Sequence, residues 1–137
     1  MKFFKSRTKH NPPHSYGDCF AACLSTLVGT KAPHVLHDGC DHGEAMTRLN
    51  RWLQPRGLAY VEYPLAVPSV MDALAMAHYL TRYSGIHYML MGLNEKGNGH
   101  WVVGLGDKID HNPTQGSEII NPHDDGVFWI GLVVNRV

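Results

Sequence analysis

The sequence predicts an α+β fold in which helices from the N-terminal half pack on one face of an antiparallel sheet from the C-terminal half. Apolar residues recur at helical spacing mainly in the first half, whereas short apolar runs bounded by turn residues fill most of the second. The 137 residues are enough for one hydrophobic core, and no repeat or low-complexity linker divides them. We therefore predict a solvated, basic N-terminal arm over residues 1–13 and a single domain over residues 14–137.

Apolar spacing and capping residues define the predicted helices. In the first helix, Asp18 is a suitable N-cap because its carboxylate can accept hydrogen bonds from the first-turn N–H groups. Gly29 is a typical helix terminator, and Pro and Gly residues end the other two helices. The predicted helices span residues 18–28, 44–54 and 68–83, with a short helical turn over residues 33–36.

Apolar runs separated by Gly, Asn and Pro define the predicted strands. The run over residues 86–93 is strongly apolar, and a turn-rich segment over residues 94–99 follows it. A histidine at position 100 is therefore expected at the start of the next strand. The predicted strands cover residues 58–63, 86–93, 100–105, 108–112, 117–120 and 127–135.

The charge balance and the cysteine content limit the classes of function. Lys and Arg together number 12, as do Asp and Glu, so a basic nucleic-acid-binding surface is not indicated. No segment approaches the ~20 apolar residues of a membrane span, and the first ten residues lack the apolar core of a signal peptide. Three cysteines without an export signal favour a reducing compartment over a disulfide framework. We therefore expect a cytoplasmic protein without membrane or nucleic-acid partners.

A cysteine at the first turn of the first predicted helix is the principal candidate for chemistry. Cys19 follows Gly17 and Asp18 and precedes an apolar, alanine-rich run. The N–H groups and the positive end of the helix dipole favour the thiolate at this position, and the thiolate is the nucleophilic form of cysteine. The same N–H groups can stabilise a developing oxyanion. Cys19 is therefore predicted to be a nucleophile, whereas Cys23, one turn later, is predicted to be a core residue.

A thiol catalyst also needs a base and a group that orients the base. His100, at the start of a predicted strand, is the candidate base. A hairpin after this strand places Asp110 and Asn112 on the face of His100 if even positions pair with even positions. An amide is sufficient as the orienting group, because its oxygen can accept the imidazole N–H and fix the tautomer. Asn112 is the preferred candidate, with Asp110 and Asn121 as alternatives.

These segments resemble small papain-like cysteine peptidases, and most closely the C39-like branch and compact phage and bacterial proteins of that type. The resemblance is carried by Gly17-Asp18-Cys19-Phe20-Ala21-Ala22-Cys23-Leu24, Gly99-His100-Trp101-Val102-Val103 and Ile109-Asp110-His111-Asn112-Pro113. It implies a papain-like fold and a catalytic triad of Cys19, His100 and Asn112. It also implies hydrolysis of a peptide, isopeptide or other amide bond in a protein or peptide substrate, through a thioester and without a cofactor.

One position departs from the pattern of that family. The family usually carries a glutamine about six residues before the cysteine, where its side chain contributes to the oxyanion hole. Pro13 occupies this position in the present chain, and Asn11 and His14 are the nearby polar candidates. The departure keeps open an alternative function, in which the fold serves as a catalytically inactive binding or effector module.

A second alternative is a zinc-stabilised domain built on a polar loop. The loop contains four His and Cys residues of the kind that ligate zinc, but their spacing matches no standard zinc finger. These residues are His34, His37, Cys40 and His42. We expect no metal there. The sequence leaves the substrate specificity and the oligomeric state open.

Overall fold

Three α-helices, one 3₁₀ turn and a five-stranded antiparallel sheet form an α+β fold in the computed structural model, which describes residues 1–137. The helical elements are α1 (Cys19–Val28), α2 (His42–Leu53), the 3₁₀ turn (Gln54–Arg56) and α3 (Val70–Thr81). The strands are β1 (Leu58–Leu65), β2 (Tyr88–Leu93), β3 (Gly99–Leu105), β4 (Lys108–His111) and β5 (Phe128–Asn135). No helix is both long enough and apolar enough to span a membrane.

The sheet has the strand order β1-β5-β2-β3-β4. β2 and β3 pair along their whole length as a hairpin, and β5 inserts between β2 and β1. β1 is an edge strand, which explains why Pro64 is tolerated within it, because an edge strand has one side free of ladder hydrogen bonds. The first predicted strand therefore belongs to the same sheet as the four C-terminal strands.

The helices occupy both faces of the sheet, so the prediction that they pack on one face is wrong. Side chains of α1 and α2 share a core with Met89, Trp101 and Val103. Side chains of α3 share a second core with Leu90 and Val102, which point to the opposite face because neighbouring strand residues alternate. The sheet is thus the middle layer of three.

Local chemistry sets several element boundaries, of which the predicted end of α1 is confirmed, whereas the predicted start of α3 at residue 68 and the predicted helical turn are not. Gly29 ends α1 with φ of 85° and donates its N–H to the Ser25 carbonyl. α3 begins only at Val70, because the Ser69 hydroxyl accepts the Asp72 N–H and fixes the N-cap there. The helical turn predicted over residues 33–36 is a non-helical turn over residues 35–38.

The strand predicted over residues 117–120 does not form. This segment contributes only one bridge, between Asn121 and Leu93. β5 pairs with β2 no further than Met91, so the segment occupies the place beside Leu93 that β5 leaves free. The missing side chain of Gly92 lets it approach, since a Cβ there would lie 2.7 Å from the Asn121 carbonyl oxygen.

The N-terminal arm is mostly exposed, as the sequence predicts, but hydrogen bonds attach it to the domain. The Phe4 N–H donates to the Thr26 hydroxyl of α1 at 3.0 Å, and its carbonyl accepts from His111 of β4. The Ser6 N–H donates to the Pro113 carbonyl at 2.8 Å, and the Ser6 and Thr114 hydroxyls are 2.7 Å apart. The arm therefore connects α1 to the segment that follows β4.

Candidate active site

Cys19 begins α1 and lies against the edge of β3. β4 pairs with β3 over Val103–Leu105, so the earlier residues of β3 have a free edge on that side. The Trp101 N–H, in this unpaired part, is directed at the Cys19 sulfur. The N–H groups of Phe20 and of Cys19 itself also face the sulfur. The nucleophile candidate is therefore placed at the edge of the strand that carries His100.

The protonation state of Cys19 differs from the sequence prediction. Burial raises the pKa of the Cys19 thiol above its ordinary value, although the three N–H groups oppose this shift. The N–H groups at the helix terminus thus lower the pKa of the Cys19 thiol, in the direction that the sequence predicts, but burial has the larger effect. Desolvation outweighs the helix terminus, so the thiol needs a base in order to react. Cys23 is fully buried in the core, as predicted.

Asp18 does not cap α1 with its side chain, which corrects a second prediction. Its carboxylate accepts the N–H groups of Arg7 and Thr8 in the N-terminal arm at 3.0–3.1 Å. Only its backbone carbonyl enters α1, as the acceptor of the Ala22 N–H. The first-turn N–H groups of α1 therefore remain available to negative charge that forms beside Cys19.

His100 and Asn112 are in contact, as the sequence predicts. His100 Nε2 lies 2.8 Å from Asn112 Oδ1. Asn112 Nδ2 donates to the Ser117 carbonyl, and Asn112 Oδ1 accepts the Thr114 N–H at 3.2 Å. A carbonyl can only accept and an N–H can only donate, so these partners fix the orientation of the amide. Nε2 of His100 must therefore carry the proton, and Nδ1 of the neutral ring is the free base.

The two alternative orienting residues have other partners. Asp110 Oδ2 accepts from His87 Nε2 at 2.8 Å. Asn121 exchanges backbone hydrogen bonds with Leu93. A register shift between Val103 and Gly104 leaves Asp110 without a pairing partner on β3, because Gly104 pairs with Ile109 and Val103 with His111. Asn112 is thus the residue that holds the His100 ring.

His100 is buried, with only 3% of its surface exposed. Burial lowers the pKa of His100, and the hydrogen bond from Asn112 opposes the shift only in part. No hydrogen bond joins the Cys19 thiol to the His100 imidazole. The resting site therefore holds a neutral thiol and a neutral imidazole rather than an ion pair.

A cleft of about 470 Å³ opens beside Cys19. Trp101, which points to the opposite face of β3 from His100, lines this cleft. Sequence reasoning missed most of the other lining residues, because they come from segments distant in the chain. The lining residues that were missed include His10, Tyr16, Glu62, Met91, His123 and Trp129, which lie on loops and strands.

Neither residue that was considered as a side-chain oxyanion donor faces the cleft. Asn11 and His14 belong to an exposed turn that Ser15 closes, and neither lines the cleft. His10 does line the cleft, with its Nδ1 accepting the Gly17 N–H at 3.3 Å. This bond leaves Nε2 as the protonated nitrogen of the neutral ring. His10 is therefore a side-chain donor that lines the same cleft as Cys19.

The four residues of the zinc alternative have separate partners. His34 Nε2 bonds the Tyr16 carbonyl, His37 Nδ1 bonds the His34 carbonyl, and Cys40 donates to the Val35 carbonyl. His42 bonds Glu62 across the cleft. No group of three or more His, Cys, Asp or Glu side chains is close enough to hold a metal ion. These residues therefore do not form a zinc site.

Asp18→Asn is expected to lower the pKa of the Cys19 thiol. After burial, the Asp18 charge is a further cause that raises this pKa, because a neighbouring anion disfavours the thiolate. The asparagine oxygen can still accept from the arm, so the arm should stay in place. The midpoint of iodoacetamide alkylation at Cys19 against pH, followed by peptide mass spectrometry, should move to lower pH. Cys40 in the same samples is the internal control, and an unchanged Cys19 midpoint would contradict the prediction.

The site thus combines a buried thiol, a histidine with a defined free nitrogen, unpaired N–H groups and an adjacent cleft. These are the parts needed for acyl transfer through a covalent intermediate. Comparisons of the chain with family models, with curated proteins and with solved structures found no match.

Proposed function

We propose that this protein is a papain-like cysteine hydrolase that cleaves an amide bond in a peptide or protein. Cys19 acts as the nucleophile, His100 as the base and Asn112 as the residue that orients the base. The proposal also covers an isopeptide or side-chain amide, since the same groups would act on these bonds.

The hydrogen-bond pattern around Asn112 is the observation that best supports this proposal. It leaves Nδ1 of His100 as an unprotonated nitrogen, and the lowered pKa of His100 keeps the ring neutral near neutral pH. A purely structural histidine needs no such control of its second nitrogen. A general base does, because it must present a lone pair to the proton that it accepts.

The reaction begins from the neutral pair. His100 Nδ1 accepts the thiol proton as the Cys19 sulfur bonds to the carbonyl carbon, and the carbonyl π electrons move to the oxygen. Collapse of this intermediate breaks the C–N bond, and the imidazolium returns the proton to the leaving amine. Water then attacks the thioester carbon and gives a proton to His100. The C–S bond breaks, and the imidazolium returns the proton to the sulfur, which releases the acid and restores the neutral thiol and imidazole. Catalytic contacts that are long in a free enzyme tighten when the substrate binds.

The oxyanion would be stabilised at the N-terminus of α1. The N–H groups of Cys19 and Phe20 face the sulfur and have no intrahelical acceptor. They can therefore donate to an oxygen that becomes negative next to the C–S bond. His10 contributes a side-chain N–H from the facing wall, in place of the glutamine that the family usually carries.

A second candidate function is a binding module that has lost catalysis. It is favoured by the raised pKa of the Cys19 thiol and by the absence of a hydrogen bond between Cys19 and His100. In that function the cleft holds a peptide without cleaving it. The two functions differ in whether Cys19 is needed for any chemical change in the peptide.

Cleavage of a complex peptide library, with new termini identified by mass spectrometry, tests the proposal. The wild-type protein should generate new termini, and Cys19→Ala should generate none. Cys40→Ala is the matched control, because Cys40 is another free thiol that lines the same cleft. It should retain cleavage. Peptide binding without cleavage by the wild-type protein would favour the binding module instead.

A further inference from the structure

We propose that the cleft selects a substrate side chain ending in a guanidinium group, with Glu62 as the residue that binds it. The inference rests on the proposed function, because it names the substrate class of the same cleft. Its evidence is the shape, the charge and the hydrogen bonding of the cleft wall formed by β1.

Three side chains of the sheet form an apolar floor from β3 to β5, and this row meets β1 at Pro64, two residues from Glu62 on the same face. Trp101 of β3 pairs with Met91 of β2, and Met91 pairs with Trp129 of β5, so the three side chains form a row on one face. The Trp129 indole donates to Asp125 at 3.2 Å, which helps to hold its ring. An aliphatic stem can lie along this row.

Two hydrogen bonds hold the Glu62 carboxylate on the β1 side of the cleft. Its Oε1 accepts from the Tyr60 hydroxyl at 2.9 Å, and its Oε2 accepts from His42 Nε2 at 3.0 Å. The residue opposite Glu62 is Gly131, where a Cβ would overlap the Tyr60 hydroxyl. Gly131 therefore gives the Tyr60 ring the room it needs to support the carboxylate.

The charges of the cleft favour a cationic partner. Glu62 is the only acidic residue that lines the cleft, no Lys or Arg lines it, and its side chain is only 14% exposed. His42 is its present partner, and their hydrogen bond raises the His42 pKa. The His42 side chain is 63% exposed, so it can turn into solvent when another cation binds Glu62. A guanidinium can then replace it and donate two parallel hydrogen bonds to the carboxylate.

Arginine fits this cleft better than lysine. Its planar guanidinium stacks on aromatic faces and binds carboxylates in a bidentate manner, whereas an ammonium is a strongly hydrated point charge. Trp129, which lines the cleft and is only partly buried, can supply such a face. β1 and β3 are three strand spacings apart, about 14 Å, and an extended peptide advances about 3.4 Å per residue. The arginine therefore lies within a few residues of the reacting bond.

Binding of matched peptides to the Cys19→Ala protein tests this inference without requiring cleavage. The ligands are acetyl-Ala-Arg-Ala amide and the same peptide with citrulline, which has the shape of arginine but no charge. Tryptophan fluorescence or amide NMR shifts report binding. We expect the arginine peptide to bind about tenfold more tightly than the citrulline peptide. Glu62→Gln in this background should remove the difference, whereas Glu44→Gln, which changes an acid outside the cleft, should preserve it.

The outcomes separate this inference from the proposed function. Equal binding of the two peptides, or a preference for arginine that survives Glu62→Gln, would overturn the arginine site whether or not the wild-type protein cleaves peptides. Selective binding that depends on Glu62 would support it even if the peptide library is not cleaved. In that case only the hydrolase proposal would fail.

Discussion

His100→Ala should lower the rate at which Cys19 is acylated by a peptide ester by about 10²- to 10⁴-fold, the usual contribution of a general base. The effect should be this large because burial raises the pKa of the Cys19 thiol, so little thiolate exists without a base. Single-turnover acylation, quenched in acid and measured by intact-protein mass spectrometry, gives the rate. A loss of less than tenfold would show that His100 is not the base.

Asn112→Ala should give a smaller loss in the same assay, because the ring remains but its tautomer and orientation are released. The double variant His100→Ala/Asn112→Ala should be no slower than His100→Ala alone, since Asn112 acts only through the imidazole. Asp110→Ala is the matched control on the neighbouring strand. It removes the partner of His87 instead and should leave the rate unchanged.

Gly92→Ala should lower the free energy of unfolding by about 1–3 kcal/mol or more, which is typical of overpacking. The added Cβ would lie 2.6 Å from Ile119 Cγ2, 2.7 Å from the Asn121 carbonyl oxygen and 2.9 Å from the Phe128 ring. The carbonyl is fixed by the Leu93 N–H at 2.8 Å, so it cannot move without breaking that bond. Urea unfolding measures the change.

Gly99→Ala, in the strand paired with that of Gly92, is the control for this effect. A Cβ at Gly99 would meet only the Met91 sulfur, at 3.9 Å, which is an ordinary contact. This variant should therefore unfold within about 1 kcal/mol of the wild-type protein. Equal stabilities of the two variants would contradict the close packing of the segment over residues 117–121 against β2.

The parts of the fold that depend on local sequence were predictable. Gly29 ends α1 because glycine adopts the left-handed conformation without strain, and this signal lies within the helix sequence itself. The face chosen by α3 was not predictable, because it depends on β5 inserting between β1 and β2. The pairing of Leu58 with Asn135 joins residues that are far apart in the chain, and no local pattern encodes it.

The candidate site likewise has parts that the sequence predicts and parts that it does not. His100 and Asn112 are twelve positions apart around a hairpin, but the hairpin pairs Gly104 with Ile109, and alternation from that register would place Asn112 on the face opposite His100. The register shift between Val103 and Gly104 pairs Val103 with His111 and restores the register that the prediction assumed, so alternation alone was not sufficient to predict the contact.

One feature of the sequence could have identified Glu62. It is a carboxylate two residues after Tyr60 in a strand, so it points to the same face as the buried Tyr60 ring. This feature indicates a binding residue only once the structure shows that this face of β1 borders a cleft.

Asp18 shows why a capping motif can mislead. Its identity and position are those of an N-cap, but two N–H groups of the arm compete successfully for its carboxylate. The arm thereby touches the residue before Cys19, while Ser6 touches the residue after Asn112. The sequence predicted the charge of the arm and missed its role, because basic residues alone do not indicate backbone pairing.

Detection of a covalent acyl-enzyme tests the central proposal most directly. The wild-type protein is mixed with a slowly hydrolysed peptide ester, quenched in acid and analysed by intact and peptide-level mass spectrometry. We expect a mass increase equal to the acyl group, located on Cys19, absent in Cys19→Ala and strongly slowed in His100→Ala. An adduct that forms on Cys40 instead, or on Cys19 at the same rate without His100, would contradict a Cys19-His100-Asn112 hydrolase.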